Sequence, residues 1–72
     1  MSKLIILSGK ELIKILEHHG FKIVSQKGSH VRLKKKNSKT YIVIVPLHKT
    51  IAKGTLLSIL KQANLNKDDL FE

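Results

Sequence analysis

Cysteine and tryptophan are absent from the 72-residue chain, proline occurs once, and only three residues, one Tyr and two Phe, are aromatic. Without cysteine there is no disulfide framework, no thiolate zinc site and no cysteine nucleophile, and a reducing cytoplasm is the expected setting. Acidic residues are also scarce, with five Asp and Glu against fourteen Lys and Arg for a net charge of +9. Glu11 and Glu17 lie towards one end and Asp68, Asp69 and Glu72 at the other, so the stretch from His18 to Asn66 contains no acid. A two-carboxylate glycosidase or an acid-rich Mg²⁺ nuclease site would have to be assembled from the termini alone. Long apolar runs are missing too. Leu4-Ile5-Ile6-Leu7 is far too short for a signal-peptide core or a membrane span. A soluble intracellular protein is therefore expected, with no targeting segment ahead of its fold and no membrane partner. A chain this short makes one small domain near the lower limit for a stable core, and any active site in it must be shallow.

What is present is basic charge and clear periodicity. Scattered single lysines would serve only solubility, but an acid-free middle points to a polyanionic partner. Ser8-Gly9-Lys10-Glu11 has the form of a capping box, and Leu12, Ile15 and Leu16, with Ile13 beside them, follow the spacing of an amphipathic helix that Gly20 closes. From Phe21 to Gln26 apolar and polar residues mostly alternate. Lys27-Gly28 has turn composition, and Val31 and Leu33 then alternate with Arg32 and Lys34, which reads as a hairpin. A second turn at Lys36-Asn37-Ser38-Lys39 leads into Thr40–Val45, β-branched almost throughout and stopped by Pro46. After a loop to about Ala52, Leu56, Ile59, Leu60 and Ala63 mark a second helical stripe ending near Asn64, and Asn66-Lys67-Asp68-Asp69 can start one more short turn. The order is α-β-β-β-α, and its simplest packing places both helices on one face of a three-stranded antiparallel sheet. If Val31 and Leu33 face the helices, then His30, Arg32 and Lys34 face the other way.

Histidine can take and give a proton near neutral pH, which makes His30 the candidate for acid-base chemistry. A lone histidine is weak evidence, since most in small basic domains are surface residues or hydrogen-bonded strand residues. The neighbours add weight: Lys27 and Arg32 can hold a phosphate, Gly28 permits close backbone approach and Ser29 adds a small donor. Ser29 has no carboxylate nearby with which to complete a triad. A second anion site is expected where Lys53-Gly54-Thr55 opens the second helix, because a lysine opposes the helix dipole there unless an anion occupies the free N–H groups. The alternative is a plain helix start with a solvated lysine, and Lys49 is more ambiguous still. His18 and His19 suit the end of the first helix as caps, and their adjacency argues against a metal site. His48 is a candidate second proton-transfer group if the third strand brings its loop near one end of the second. Tyr41 and Phe21 are better read as core than as stacking platforms, so contacts to phosphates and 2′-hydroxyls should outweigh base reading.

The segments GSHVRL, VIVPLHK and KGTLLSILKQANL resemble HicA-type toxins, the small mRNA interferases of bacterial and archaeal toxin-antitoxin pairs. The likeness runs from about Leu7 to Leu65, and residues 1–72 are read as a single such domain. It implies an α+β fold similar to a double-stranded RNA-binding domain, RNA cleavage dependent on the histidine of the G-S-H motif, here His30, and neutralisation by an acidic HicB-type antitoxin. Where the family's helix often ends in Gly, this chain has Asn64, which tolerates the same left-handed cap. The sequence thus leads to a cytoplasmic, metal-independent endoribonuclease without cofactors acting on mRNA. His30 is its acid-base residue, and Lys27, Gly28, Ser29, Arg32, Lys34, Lys49, Lys53 and Gly54 contact RNA. The attacking group is then expected to be the RNA's own 2′-hydroxyl. A non-catalytic RNA-binding module of the same fold, or a DNA-binding regulator, would use the same charge without cleavage.

Overall fold

The computed structural model of the protein describes residues 6–70; Leu4 and Ile5 of the apolar run, Phe71 and Glu72 lie outside them. The elements are α1 (Gly9–His18), β1 (Lys22–Lys27), β2 (His30–Lys36), β3 (Thr40–Pro46) and α2 (Lys53–Gln62), then a 3₁₀ turn at Lys67–Leu70. This is the expected α-β-β-β-α order, with the strands forming an antiparallel meander in the order β1-β2-β3.

Both helix ends of α1 are written locally. The Ser8 hydroxyl accepts the Glu11 N–H at 3.1 Å and the Glu11 carboxylate accepts the Ser8 N–H at 2.9 Å, a complete capping box. Hydrogen bonds to Ser8 hold the Glu11 carboxyl below the usual carboxylate range, the backbone N–H contributing most and the hydroxyl next, with help from nearby Lys14. At the other end Gly20 takes φ +97°, its N–H reaches the Glu17 carbonyl and the Phe21 N–H reaches that of Leu16, which is the Schellman arrangement. Asn64, at φ +59°, does the same for α2: Asn64 N–H bonds Lys61 and Leu65 N–H bonds Leu60. His19 sits at the cap of α1 and its Nε2 lies 3.3 Å from the Asp69 carbonyl oxygen, tying the helix to the terminal turn.

The core is one cluster between the helices and one face of the sheet. Leu12 and Leu16 of α1, Val31 and Leu33 of β2, Val43 and Val45 of β3, and Leu56, Ile59 and Leu60 of α2 are buried in it, with Phe21 at one end. Phe21 is a core residue as expected, whereas Tyr41 is partly buried and packs against the edge of this cluster. Lys35, the half-buried member of β2, lays its ammonium 5.8 Å from the Phe21 ring centre and covers that end. The cost of any side chain at Gly9 is set far away in sequence: a Cβ would collide with the Pro46 carbonyl and lie 2.9 Å from the Leu47 Cα. Here the Gly9 N–H donates to the His48 carbonyl at 2.9 Å and the Ile51 N–H to that of Leu7 at 2.8 Å, locking the β3–α2 loop onto the start of α1.

The first hairpin differs from the expected one by a residue. β1 starts at Lys22 rather than Phe21, and Lys27 belongs to the strand, paired with His30, leaving Gly28-Ser29 as the turn. Gly28 takes φ +59° as the first central residue, the position that a two-residue II′-type hairpin reserves for glycine. The Gln26 side-chain amide donates to the Gly28 carbonyl at 3.1 Å and braces the turn. β1 also carries a bulge, its register jumping between Ile23, paired with Leu33, and Ser25, paired with Arg32. The extra residue, Val24, decides the faces. Without it, Ile23 would share a face with Ser25 and Lys27; with it, Ile23 stays on Leu33's side while Ser25 and Lys27 turn to the open face.

Candidate functional site

The open face of the sheet is a basic surface. Along β2 it presents His30, Arg32, Lys34 and Lys36, every one exposed, while Val31 and Leu33 between them are buried. The cross-strand partners extend the row: Lys27 opposite His30, Ser25 opposite Arg32 and Lys22 opposite Lys34 on β1. Directly opposed residues stand about 5 Å apart at Cβ, and like charges so placed repel. An arrangement such as Lys22 against Lys34 is therefore best satisfied by an anion laid across the strands.

His30 stands at the hairpin end of this row. It lines a shallow hollow of about 390 Å³ with Ser25, Lys27, Arg32 and Ile44. The Leu47 N–H donates to the Ser29 carbonyl at 2.6 Å, fixing the start of β2 beside the end of β3. Across from His30 on β3 is Pro46, which has no N–H to give the ladder, so the sheet ends here and leaves the imidazole at its rim. The hollow thus holds an imidazole, a lysine, an arginine and a hydroxyl, and no carboxylate. Such a set suits a phosphodiester, whose charge the cations hold while the imidazole faces its oxygens.

The expected site residues fall into two groups. Lys27 and Arg32 share the hollow with His30; Gly28 and Ser29 form the turn beside it, and Lys34 continues the row, lining a neighbouring hollow with Lys22, Val24 and Lys36. Lys53 and Gly54 begin α2. Its cap residue, Ala52, offers no side-chain acceptor and its first turn carries no acid, in contrast to α1. The leading N–H groups of α2 therefore lack a side-chain partner, and a Cβ on Gly54 would meet nothing within 4 Å. Gly54 lines a groove with Thr55, Ser58 and Gln62 of α2 and with Ile42 and Ile44 of β3, and Ile44 is shared between this groove and the His30 hollow. Lys49 and His48 are exposed on the β3–α2 loop, and neither lines the hollow around His30. The loop does come beside the start of β2, through Leu47 and Ser29, as anticipated.

Ser25, Ile42 and Ile44 are among the residues of this surface that the sequence alone did not place there. Ser25 reaches the hollow only because of the bulge at Val24, which adjacent apolar residues at 23 and 24 alone do not announce. Ile42 and Ile44, 51% and 46% exposed, look like core in a β-branched run, yet they pair with Lys34 and Arg32 on the open face. Alternation against buried Val43 and Val45 was the signal that could have placed them.

No curated protein sequence matches the chain. A family model described as the HicA toxin of bacterial toxin-antitoxin systems matches residues 9–65, which span both helices, all three strands and the His30 hollow. The chain therefore belongs to the HicA toxin family: it is the toxin of a toxin-antitoxin pair, and an antitoxin is its partner.

Proposed function

We propose that the toxin acts as a metal-independent endoribonuclease on mRNA, with His30 as the acid-base residue and a HicB-type acidic antitoxin as its inhibitor. The observation that carries this reading is the hollow in which His30 is flanked by Lys27 and Arg32 on a face without carboxylates. With no acidic side chain there, the imidazole is the group suited to remove a proton, and the substrate must bring its own nucleophile. In RNA that is the 2′-hydroxyl. His30 takes its proton, the 2′-oxygen bonds to the adjacent phosphorus, and the bond from phosphorus to the 5′-oxygen breaks. The leaving oxygen takes a proton from the His30 imidazolium or from solvent, giving a 2′,3′-cyclic phosphate and a 5′-hydroxyl. Lys27 and Arg32 stabilise charge building on the phosphoryl oxygens. Gly28 and Ser29 let the backbone approach, and Lys34, Lys49, Lys53 and Gly54 hold flanking phosphates. His48 serves as a second proton-transfer group only if the bound RNA spans from the hollow to its loop.

A non-catalytic RNA-binding module would use the same basic face with His30 as one more backbone contact. Incubating the purified protein with labelled RNA separates the two: a binder shifts the RNA intact, and a nuclease shortens it. The account expects shortening that His30→Ala abolishes while the shift remains.

A further inference from the structure

The groove between α2 and β3 has features that phosphate binding does not use. Its floor is apolar, made by Ile42 and Ile44, which are about half exposed on a face whose other strands present lysine, arginine and histidine. Solvated isoleucines do nothing for the core, which lies on the opposite side of β3. Its lip is polar: Thr55, Ser58 and Gln62 recur at helical spacing on the outer side of α2, while Leu56 and Leu60 face the core and buried Ile59 borders both core and groove. Among the described residues no side-chain hydrogen bond engages Thr55, Ser58 or Gln62, so their donors and acceptors are open to a ligand. Gly54 keeps the mouth free of side-chain bulk, since the space over its Cα is empty.

We propose that this groove is a nucleobase subsite: it receives the base of the nucleotide next to the one held at His30, lays its ring on Ile42 and Ile44, and reads its edge with Gln62 and Ser58. The inference rests on the ribonuclease reading above and adds to it the place where sequence preference arises. Continuity supports it. Ile44 is a wall of both the His30 hollow and the groove, so a strand of RNA crossing the sheet from β1 to α2 passes His30 and then enters the groove. The crossing from β1 to β3 is about 10 Å, two strand spacings, which one nucleotide and the next can span. The chemistry supports it as well. A base offers a flat apolar face and an edge with both donors and acceptors, which match an aliphatic floor and a carboxamide lip. The basic row of β1 and β2 beside the groove favours a polyanion over an acidic side chain buried on isoleucine.

The test is a coupling measurement. Short RNAs carrying an abasic ribonucleotide at each position around the cleavage site are compared for the wild-type protein and for Gln62→Ala and Ile42→Ser. One position, adjacent to the scissile bond, should lose about three- to tenfold in kcat/KM on base removal, the size of one or two hydrogen bonds with their packing. Either variant should show a similar loss on intact RNA, and the two losses should not add on the abasic RNA. Affinities of the His30→Ala protein for the same RNAs, alone and with Gln62→Ala, repeat the comparison without cleavage. Losses that add, or cleavage indifferent to every base, would overturn the subsite and leave the nuclease intact. A wild-type protein that cuts no RNA overturns the ribonuclease reading, while the affinities still decide whether the groove holds a base. Variants that bind and cut RNA like the wild type but lose affinity for the antitoxin would assign the groove to the antitoxin instead.

Discussion

At the scale of single residues, His30 is exposed, lies on the face away from the core and makes no contact on which packing depends. Its replacement should separate chemistry from stability. His30→Ala is expected to abolish RNA cleavage and cell toxicity while changing unfolding free energy by no more than about 0.5 kcal/mol, as for other surface substitutions; a residual rate equal to wild type would remove it from the mechanism. Gly9 is the opposite case, a residue whose importance is wholly structural. Gly9→Ala forces a methyl group against the Pro46 carbonyl and should cost about 1–3 kcal/mol in denaturant unfolding. An unchanged midpoint would mean that the loop beside α1 yields freely. His30 was legible because a short motif surrounds it. Gly9 was not, because nothing within its own helix requires glycine; the demand comes from a loop almost forty residues on.

At the scale of elements, the capping of the two helices differs, and the difference has consequences for pH and for activity. The Glu11 carboxyl is held below its ordinary range by the Ser8 backbone N–H and hydroxyl. A folded-state value below the unfolded one makes its contribution present above the unfolded value and lost as pH falls through the folded one. The stability gap between wild type and Glu11→Gln should therefore narrow on acidification through the carboxylate range, and a gap constant from neutral pH to pH 3 would contradict that linkage. α2 starts without a side-chain cap, with Lys53 and a glycine that the fold does not need. Gly54→Ala fits the empty space and should stabilise the protein by about 0.4–1 kcal/mol, as glycine replacement does at compatible sites, while weakening RNA cleavage. Stabilisation with undiminished cleavage would show that RNA does not approach there. Caps and turns were readable because they are local: Ser8 with Glu11, Gly20 after α1, Asn64 after α2, Asn66 before the last turn. The bulge was not, since Ile23 and Val24 are both apolar and alternation breaks without saying which residue is extra. Its partner strand settles that, and with it the placement of Ser25 and Lys27 around His30.

At the scale of the whole molecule, the charge is segregated: acids lie in α1 and near the C-terminal end, and the open sheet face carries cations alone. An acidic antitoxin should associate with that face quickly and with a rate that falls as salt rises, because long-range steering is screened. Stopped-flow association at several ionic strengths checks this, and an antitoxin that binds only the helical side and leaves cleavage intact would contradict it. The segregation was visible in the sequence as an acid-free middle. The apolar band that Ile42 and Ile44 add to the cationic face became visible only when the register of β3 on β2 was known. The central claim is that His30 activates the RNA's own 2′-hydroxyl without a metal ion. A single short RNA with one 2′-deoxy nucleotide on the 5′ side of the scissile bond, incubated with the protein in a chelator beside its all-ribose twin, tests it most directly. The account predicts full cleavage of the all-ribose strand, ending in a 2′,3′-cyclic phosphate, and none of the deoxy strand. Cleavage of the deoxy strand would make water the nucleophile, and loss of all cleavage in chelator would make the enzyme metal-dependent; either result contradicts it.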